Sequence, residues 1–441
     1  MIEADIVISG GIVVTMDEAG TVWTDGAVAI RKDVIVEIGP REVITGKYRA
    51  SEVIDAHRRL VMPGLVNSHT HAAMTCFRGI ADDLNLTDWW SNYIFPAESR
   101  HVNPELAYWG SLLACAEMIK SGTTTFCDMY IFEDETAQAA KKAGMRCLVG
   151  EVLFDFPSPN VKTPAEGLRY TEDLIKKWAG DPLVNICVEP HSLYTCSPSL
   201  LRDAKALADA YGVPLATHYL ETMTETGVIE ERSGVPPHAL LEDLGYLCDR
   251  FFVFHGVYMT EQDIRLFADH GSKVVHNPES NMKLASGVAP ISRMLEAGVK
   301  IGLGTDGCAS NNNLDMFQEM DTAAKLEKSV RLDPTIMPAE TVLRMATRDG
   351  ACVLGLERQT GSLKAGKKAD LIVIDMHKPH LTPMYNPYSH LVYAVCGSDV
   401  ETVVIDGRVV MRNRRLLTID EEEVMERVNG IAEEIKRGMK G

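Results

Sequence analysis

Short apolar runs recur through the middle of the chain. Each ends in a titratable residue and is followed by a segment of helical periodicity. The runs are Leu60–Val66 before His69 and His71, Thr123–Cys127 before Asp128, Arg146–Gly150 before Glu151, and Val184–Pro190 before His191. Val213–Thr217 before His218, Phe251–Phe254 before His255, Lys273–Val275 before His276 and Val299–Thr305 before Asp306 complete the set. Strands alternating with helices imply a parallel sheet. Eight such units predict a closed (β/α)8 TIM-type barrel, with its site at the C-terminal strand ends. Between the runs, Asn103 caps a helix that Pro104 opens, and Leu106, Trp109, Leu112, Leu113, Ala116 and Ile119 follow at helical spacing up to Gly122. Similar cover helices are expected after Glu135, Pro164, Pro198, Thr260 and Pro290.

Both ends of the chain read differently. Residues 4–61 alternate, and residues 369–411 return to this style, with Asp406-Gly407 as a hairpin signal between two β-branched runs. Neither end makes a good sheet alone, and chain termini often lie close together. The expected organisation is therefore a small β-sandwich built from residues 1–61 and 367–441, beside a barrel at 62–366. A closing helix runs roughly from Glu421 to Lys440.

Composition narrows the possible partners. A net charge of −18 with no basic run excludes a phosphate-backbone partner, so no nucleic acid is expected. No apolar stretch approaches ~20 residues, so no membrane span is expected either. The ten cysteines are scattered through apolar runs and show no Cys-x-x-Cys, which predicts buried free thiols. With acidic Glu3 and Asp5 breaking any leader, a cytoplasmic location is expected. A homo-oligomer is also expected.

The densest chemistry lies at Asn67-Ser68-His69-Thr70-His71. Residues i and i+2 of a strand share a face, so both imidazoles can meet one metal ion beyond the strand's end. Two polar residues in an exposed turn would fit the same five letters.

Longer stretches carry a family resemblance. Pro63-Gly64-Leu65-Val66-Asn67-Ser68-His69-Thr70-His71 resembles the first-strand signature of the amidohydrolase superfamily. Phe95-Pro96-Ala97-Glu98, Pro190-His191-Ser192, Thr217–Thr222, His276–Gly287 and Gly304-Thr305-Asp306-Gly307 resemble its 5′-methylthioadenosine/S-adenosylhomocysteine deaminase group. The resemblance implies that His69, His71, His218 and Asp306 hold one divalent metal per chain, zinc. It implies Glu221 as proton shuttle, His255 as the group orienting the attacking hydroxide, Glu98 as acceptor for ribose hydroxyls, and His191 as a purine or ribose contact. The implied partner is a small-molecule adenine nucleoside.

The implied reaction is hydrolytic deamination at C6 of adenine. Zinc lowers the pKa of water from ~15.7 to about 7, Asp306 takes the water's proton, and Glu221 protonates N1 and then the leaving amine. Members that accept S-adenosylhomocysteine place an arginine near the end of strand three, where this chain has Glu151. A carboxylate there should repel the homocysteine carboxylate and favour methylthioadenosine, 5′-deoxyadenosine or adenosine. Another superfamily reaction on a free base or triazine, deamination or chlorohydrolysis, is the alternative. Gly302-Leu303-Gly304-Thr305-Asp306-Gly307 also fits the dinucleotide pattern Gly-x-Gly-x-x-Gly, but it falls on the last strand rather than the first.

Overall fold

Eight apolar segments pair side by side as parallel strands in the computed structural model, which describes residues 1–439. In order they are Leu65–Thr70, Thr123–Tyr130, Arg146–Leu153, Val184–Ile186 continued at Glu189–Pro190, Leu215–Tyr219, Phe251–His255, Lys273–His276 and Ile301–Leu303. Each pairs with the next, strand four meeting strand five through the Val188–Leu215 and Ser192–His218 bridges. The ring closes where the Asp306 amide donates to the His69 carbonyl at 2.9 Å. The glycines of strand eight make that closure possible. A Cβ at Gly302 would sit 2.6 Å from Ser68 Oγ, and one at Gly304 would sit 2.7 Å from the His69 nitrogen. The Gly-x-Gly-x-x-Gly spacing thus serves strand packing.

The first apolar run serves two sheets. Arg59–Pro63 lies between Ile12–Val13 and Leu371–Asp375, while Leu65–Thr70 enters the barrel. Gly64 marks the change, because a Cβ there would lie 2.1 Å from the Thr124 side chain. His69 therefore sits inside strand one rather than beyond its end.

The two chain ends form one nine-stranded sheet. Ile2–Val14 pairs with Val22–Arg31, Tyr48–Asp55 and Arg59–Pro63, and Leu371–Asp375 carries the C-terminal strands Val400–Ile405, Arg408–Arg412 and Arg415–Leu416. Asp406 and Gly407, both at positive φ, make the expected tight turn between Ile405 and Arg408. Ile6, Ile8, Val28, Ile30, Leu371 and Val404 share one core on this sheet. The fully buried Arg146 ties the barrel to it, bonding Asp370 at 2.7 Å and Asp406 at 3.2 Å.

The cover helices follow their caps. Asn103 accepts from the Leu106 amide at 3.1 Å and opens Pro104–Lys120. Helices Glu133–Ala143, Pro198–Tyr211 and Glu261–His270 stop at Gly144, Gly212 and Gly271, all left-handed. The closing helix spans Glu421–Met439, and its expected end at Lys440 lies outside the described residues. All ten cysteines are free, seven of them buried. Among the described residues no helix is long and apolar enough to cross a membrane.

Candidate active site

A cavity of about 610 Å³ opens at the C-terminal strand ends. His71, His218, His255, Asp306, Glu221 and Glu98 line it. His69 lies fully buried beside these groups, stacked on Phe254 at 3.7 Å between ring centroids. His69, His71 and His218 place a ligand atom each within 4.8 Å of one another, as do His69, His255 and Asp306.

The imidazoles are aimed by what holds their other nitrogen. Nδ1 of His71 meets the Met129 carbonyl, Nδ1 of His218 meets the His191 carbonyl at 2.8 Å, and Nδ1 of His255 meets Asn281 Oδ1 at 2.8 Å. Each leaves Nε2 facing the centre, the orientation that metal-binding histidines take from their outer partners. Both ring nitrogens of His69 are buried and make no hydrogen bond, Nε2 standing 3.4 Å from Asp306 Oδ1. Such an orphan is costly unless a further group meets it, and three histidines with one carboxylate fit a borderline divalent cation.

Asp306 Oδ1 lies 3.1 Å from His71 Nε2 and 3.4 Å from His69 Nε2. Burial would raise this carboxyl, but the His69 and His71 imidazoles beside it outweigh that and hold it well below the usual carboxylate range. Burial also lowers His71, yet its bond to Asp306 and that group's charge leave it pushed up to about 9. Burial dominates at His69, pulling it to about 3. His218 is held well below its ordinary value, first by burial and then by the neighbouring imidazoles. His255, Asp306 and Leu220, which precedes Glu221, all take positive φ. Each such residue costs roughly 1–3 kcal/mol, and such strain clusters at functional sites.

Glu221 Oε2 stands 3.7 Å from His255 Nε2, and burial raises its pKa. Glu98 is on the short helix Phe95–His101, which follows a wide turn at Trp89–Ile94. It accepts from Tyr130 Oη at 2.6 Å, and burial pushes it up to about 7 against that bond. His191 bonds Thr195 Oγ1 at 2.9 Å, packs 5.0 Å from Phe154, and is pulled down to about 3 by burial.

The remaining strand-end groups do not reach the cavity. Asp128 accepts from Thr70 and the Ala72 amide, and Glu189 lies beside Cys127. His276 is buried with neither ring nitrogen partnered, and burial pulls it to about 3. The expectation about Glu151 is corrected. Strand three runs on to Leu153, so Glu151 lies within it and points away from the cavity. Its carboxylate accepts from the Glu133 amide at 3.0 Å and from Asn160 at 2.8 Å, while Val152 and Phe154 face the cavity. Its carboxyl does not line the cavity. Tyr130 and Ser310, which carry no signal in the sequence, also line the cavity, together with Trp90 from the aromatic stretch before Glu98. A third cluster, His380, Cys396 and Asp399, lies at the surface with its carboxylate already paired to Lys378 at 2.7 Å.

Comparison with known proteins agrees with this geometry. The model of the amidohydrolase family matches residues 60–410. A 5-methylthioadenosine/S-adenosylhomocysteine deaminase of Syntrophus aciditrophicus is 62% identical over 440 residues, covering 100% of this chain and 99% of its own length. A 5′-deoxyadenosine deaminase of Methanosarcina acetivorans is 47% identical over 434 residues, with 98% of each chain covered. The crystal structure of an adenosine deaminase from Xanthomonas campestris with bound zinc superposes with a TM-score of 0.97, at 37% identity and 99% coverage of both chains.

Proposed function

The chain belongs to the amidohydrolase family, and on that premise we propose that it is a metal-dependent hydrolytic deaminase of 5′-modified adenosines. Its substrates are methylthioadenosine, 5′-deoxyadenosine, adenosine and S-adenosylhomocysteine. Water replaces the 6-amino group, and the products are the inosine-type nucleoside and ammonia. The reading is supported by relatives that carry these activities in their names and by the adenosine deaminase with the same fold. The observation that carries it is one cavity holding the imidazole–carboxylate cluster, Glu221 beside His255, and Glu98.

His69, His71, His218 and Asp306 would hold one zinc ion, which when bound supplies a water acidic enough to attack at neutral pH. Strand four ends in His191, not in a lysine that could form a bridging carbamate, and this supports a single ion. Asp306 takes the proton that the attacking water gives up. Glu221, whose pKa burial raises, donates a proton to N1 of the purine as C6 becomes tetrahedral. Left as a carboxylate, it takes the proton of the new C6 hydroxyl as the C6 carbonyl forms and passes it to the departing amine. His255, facing Glu221, orients the water. Glu98 accepts from the ribose diol, with Tyr130 fixing its second oxygen, and His191 contacts the nucleoside as a neutral ring. A free base or a triazine has no diol for Glu98, which disfavours the alternative substrates.

The same proposal covers the organisation. The division into residues 1–61, 62–366 and 367–441, and the folding of the terminal sheet into a sandwich, are supported by its separate core.

The test is a nucleoside panel on the zinc-loaded chain, followed by loss of absorbance near the adenine maximum and by ammonia release. Absence of turnover on all four adenosines would reject the proposal.

A further inference from the structure

The run Asn277–Gly287 leaves strand seven as a six-residue helix, Pro278–Lys283, and ends in a turn. It contributes no metal ligand and no group assigned above to the reaction. Yet three of its side chains each hold one of the three reacting groups. Ser280 Oγ donates to Asp306 Oδ2 at 2.6 Å. Asn281 Oδ1 meets His255 Nδ1 at 2.8 Å. Ser286 Oγ donates to Glu221 Oε1 at 3.3 Å. Asp306, His255 and Glu221 come from strands eight, six and five, so no single strand can set their mutual geometry.

We propose that Ser280, Asn281 and Ser286 form one positioning clamp that sets Asp306, His255 and Glu221 relative to one another. The backbone supports this. The Ser286 amide returns to the Asn281 carbonyl at 2.9 Å, and the Leu284 amide to the Ser280 carbonyl at 3.0 Å, so one hydrogen-bonded backbone segment carries all three side chains. Asn277 Nδ2 pins the start of the segment to the Gly304 carbonyl on strand eight at 2.9 Å. Tyr258 Oη pins its end through the Ser286 carbonyl at 2.8 Å. The turn takes positive φ at Ala285 and Gly287, and a Cβ at Gly287 would lie 2.9 Å from Val257. The buried side chains Ser280 and Asn281 face the reacting groups, while Met282 is exposed. With Oδ1 accepting, Asn281 keeps the proton of His255 on Nδ1 and turns Nε2 towards Glu221.

The clamp rests on Glu221, His255 and Asp306 being the reacting groups, and its test separates the two ideas. Ser286→Ala and Asn281→Ala are assayed on 5′-deoxyadenosine beside Ser286→Thr and Asn281→Asp, which keep a hydroxyl and an acceptor. The alanine variants should lose about 10–100-fold in kcat with KM changed less than about threefold and zinc content unaltered. The conservative pair should recover most of that loss. In a Glu221→Gln background Ser286→Ala should cost nothing further, because it acts through Glu221. Ser280→Ala should instead weaken zinc retention against a chelator by about tenfold, a readout independent of substrate. Unchanged kcat in both alanine variants, or full additivity with Glu221→Gln, overturns the clamp. If the wild-type chain deaminates no adenosine, the functional proposal fails, and normal zinc retention in Ser280→Ala then rejects the clamp separately.

Discussion

Strands one, five, six and eight bring His69, His71, His218, His255 and Asp306 to one point, whereas strands two, three and four bury Asp128, Glu151 and Glu189 out of the cavity's reach. Both arcs set titratable residues within or at the end of an apolar run, and strand four also ends in His191, which lines the cavity. They differ in composition and in partners. The first arc mixes imidazoles with a carboxylate and leaves the His69 nitrogens without a hydrogen bond. In the second, Asp128, Glu151 and Glu189 are all carboxylic, and burial followed by the charge of Asp128 raises Glu133 and Glu189 well above the carboxylate range. Burial thus favours the neutral form of Glu133 and Glu189, which suits packing inside the barrel. A cluster of neutral acids is structure. A cluster of unsatisfied imidazoles around a carboxylate is a place for a cation.

That contrast can be broken in steps. Stripping the metal should abolish turnover, and about one equivalent of zinc per chain should restore it. Two tightly held ions by elemental analysis would break the picture of a single centre. Glu221→Gln should lower kcat by at least ~10²-fold with zinc retained, since its proton is needed only as C6 becomes tetrahedral. Near-normal turnover would remove Glu221 from the mechanism.

Glu98 gives a smaller, pH-dependent effect. Its carboxylate form accepts from the diol, and burial sets its pKa at about 7. The value of kcat/KM should therefore fall as pH drops through about 7. Glu98→Gln should flatten that limb, and a 2′-deoxy substrate should lose most of its penalty in Glu98→Ala. A pH profile unchanged by Glu98→Gln would take Glu98 off the ribose.

On the other arc, Glu189→Gln should leave kcat within about twofold, because it replaces one neutral group by another of similar shape. Its signature lies in stability. Glu189 is raised in the folded chain, so the native state keeps its proton to higher pH than the unfolded state does. Native stability then declines as pH rises above the unfolded value near ~4.3, and the Gln variant should lessen that decline in thermal melts at several pH values. Smallest of all, Glu151→Ala should leave the ratio of kcat/KM for methylthioadenosine over S-adenosylhomocysteine unchanged, since its carboxylate caps Glu133 behind the wall. A ratio shifted tenfold would put Glu151 back in the cavity.

Much of this was legible in the chain. The eight runs, their order, the joining of the two ends and the Asp406-Gly407 hairpin are local signals repeated often enough to add up. His69, His71, His218, Glu221, His255 and Asp306 do assemble. The facing of a strand-end residue was not legible. Strand three runs to Leu153, and side chains alternate, so the inward positions there are Val152 and Phe154 rather than Glu151. The roles of Ser280, Asn281 and Ser286 were hidden for a different reason. They lie on a helix of only six residues and the turn after it, too short to show a period, and their partners come from three distant strands.

The pairing of Arg59–Pro63 with Leu371–Asp375 has a consequence for biosynthesis. The first strand leaves the ribosome about three hundred residues before its neighbour exists. At roughly 5–20 residues per second that is about 15–60 s. Throughout that interval one hydrogen-bonding edge, lined by Leu60, Val61 and Met62, has no native cover and can recruit the same edge of another nascent chain. Slowing translation should therefore lower the soluble yield of this protein more than that of a barrel whose sheets close in chain order, and co-expressed chaperone should recover it.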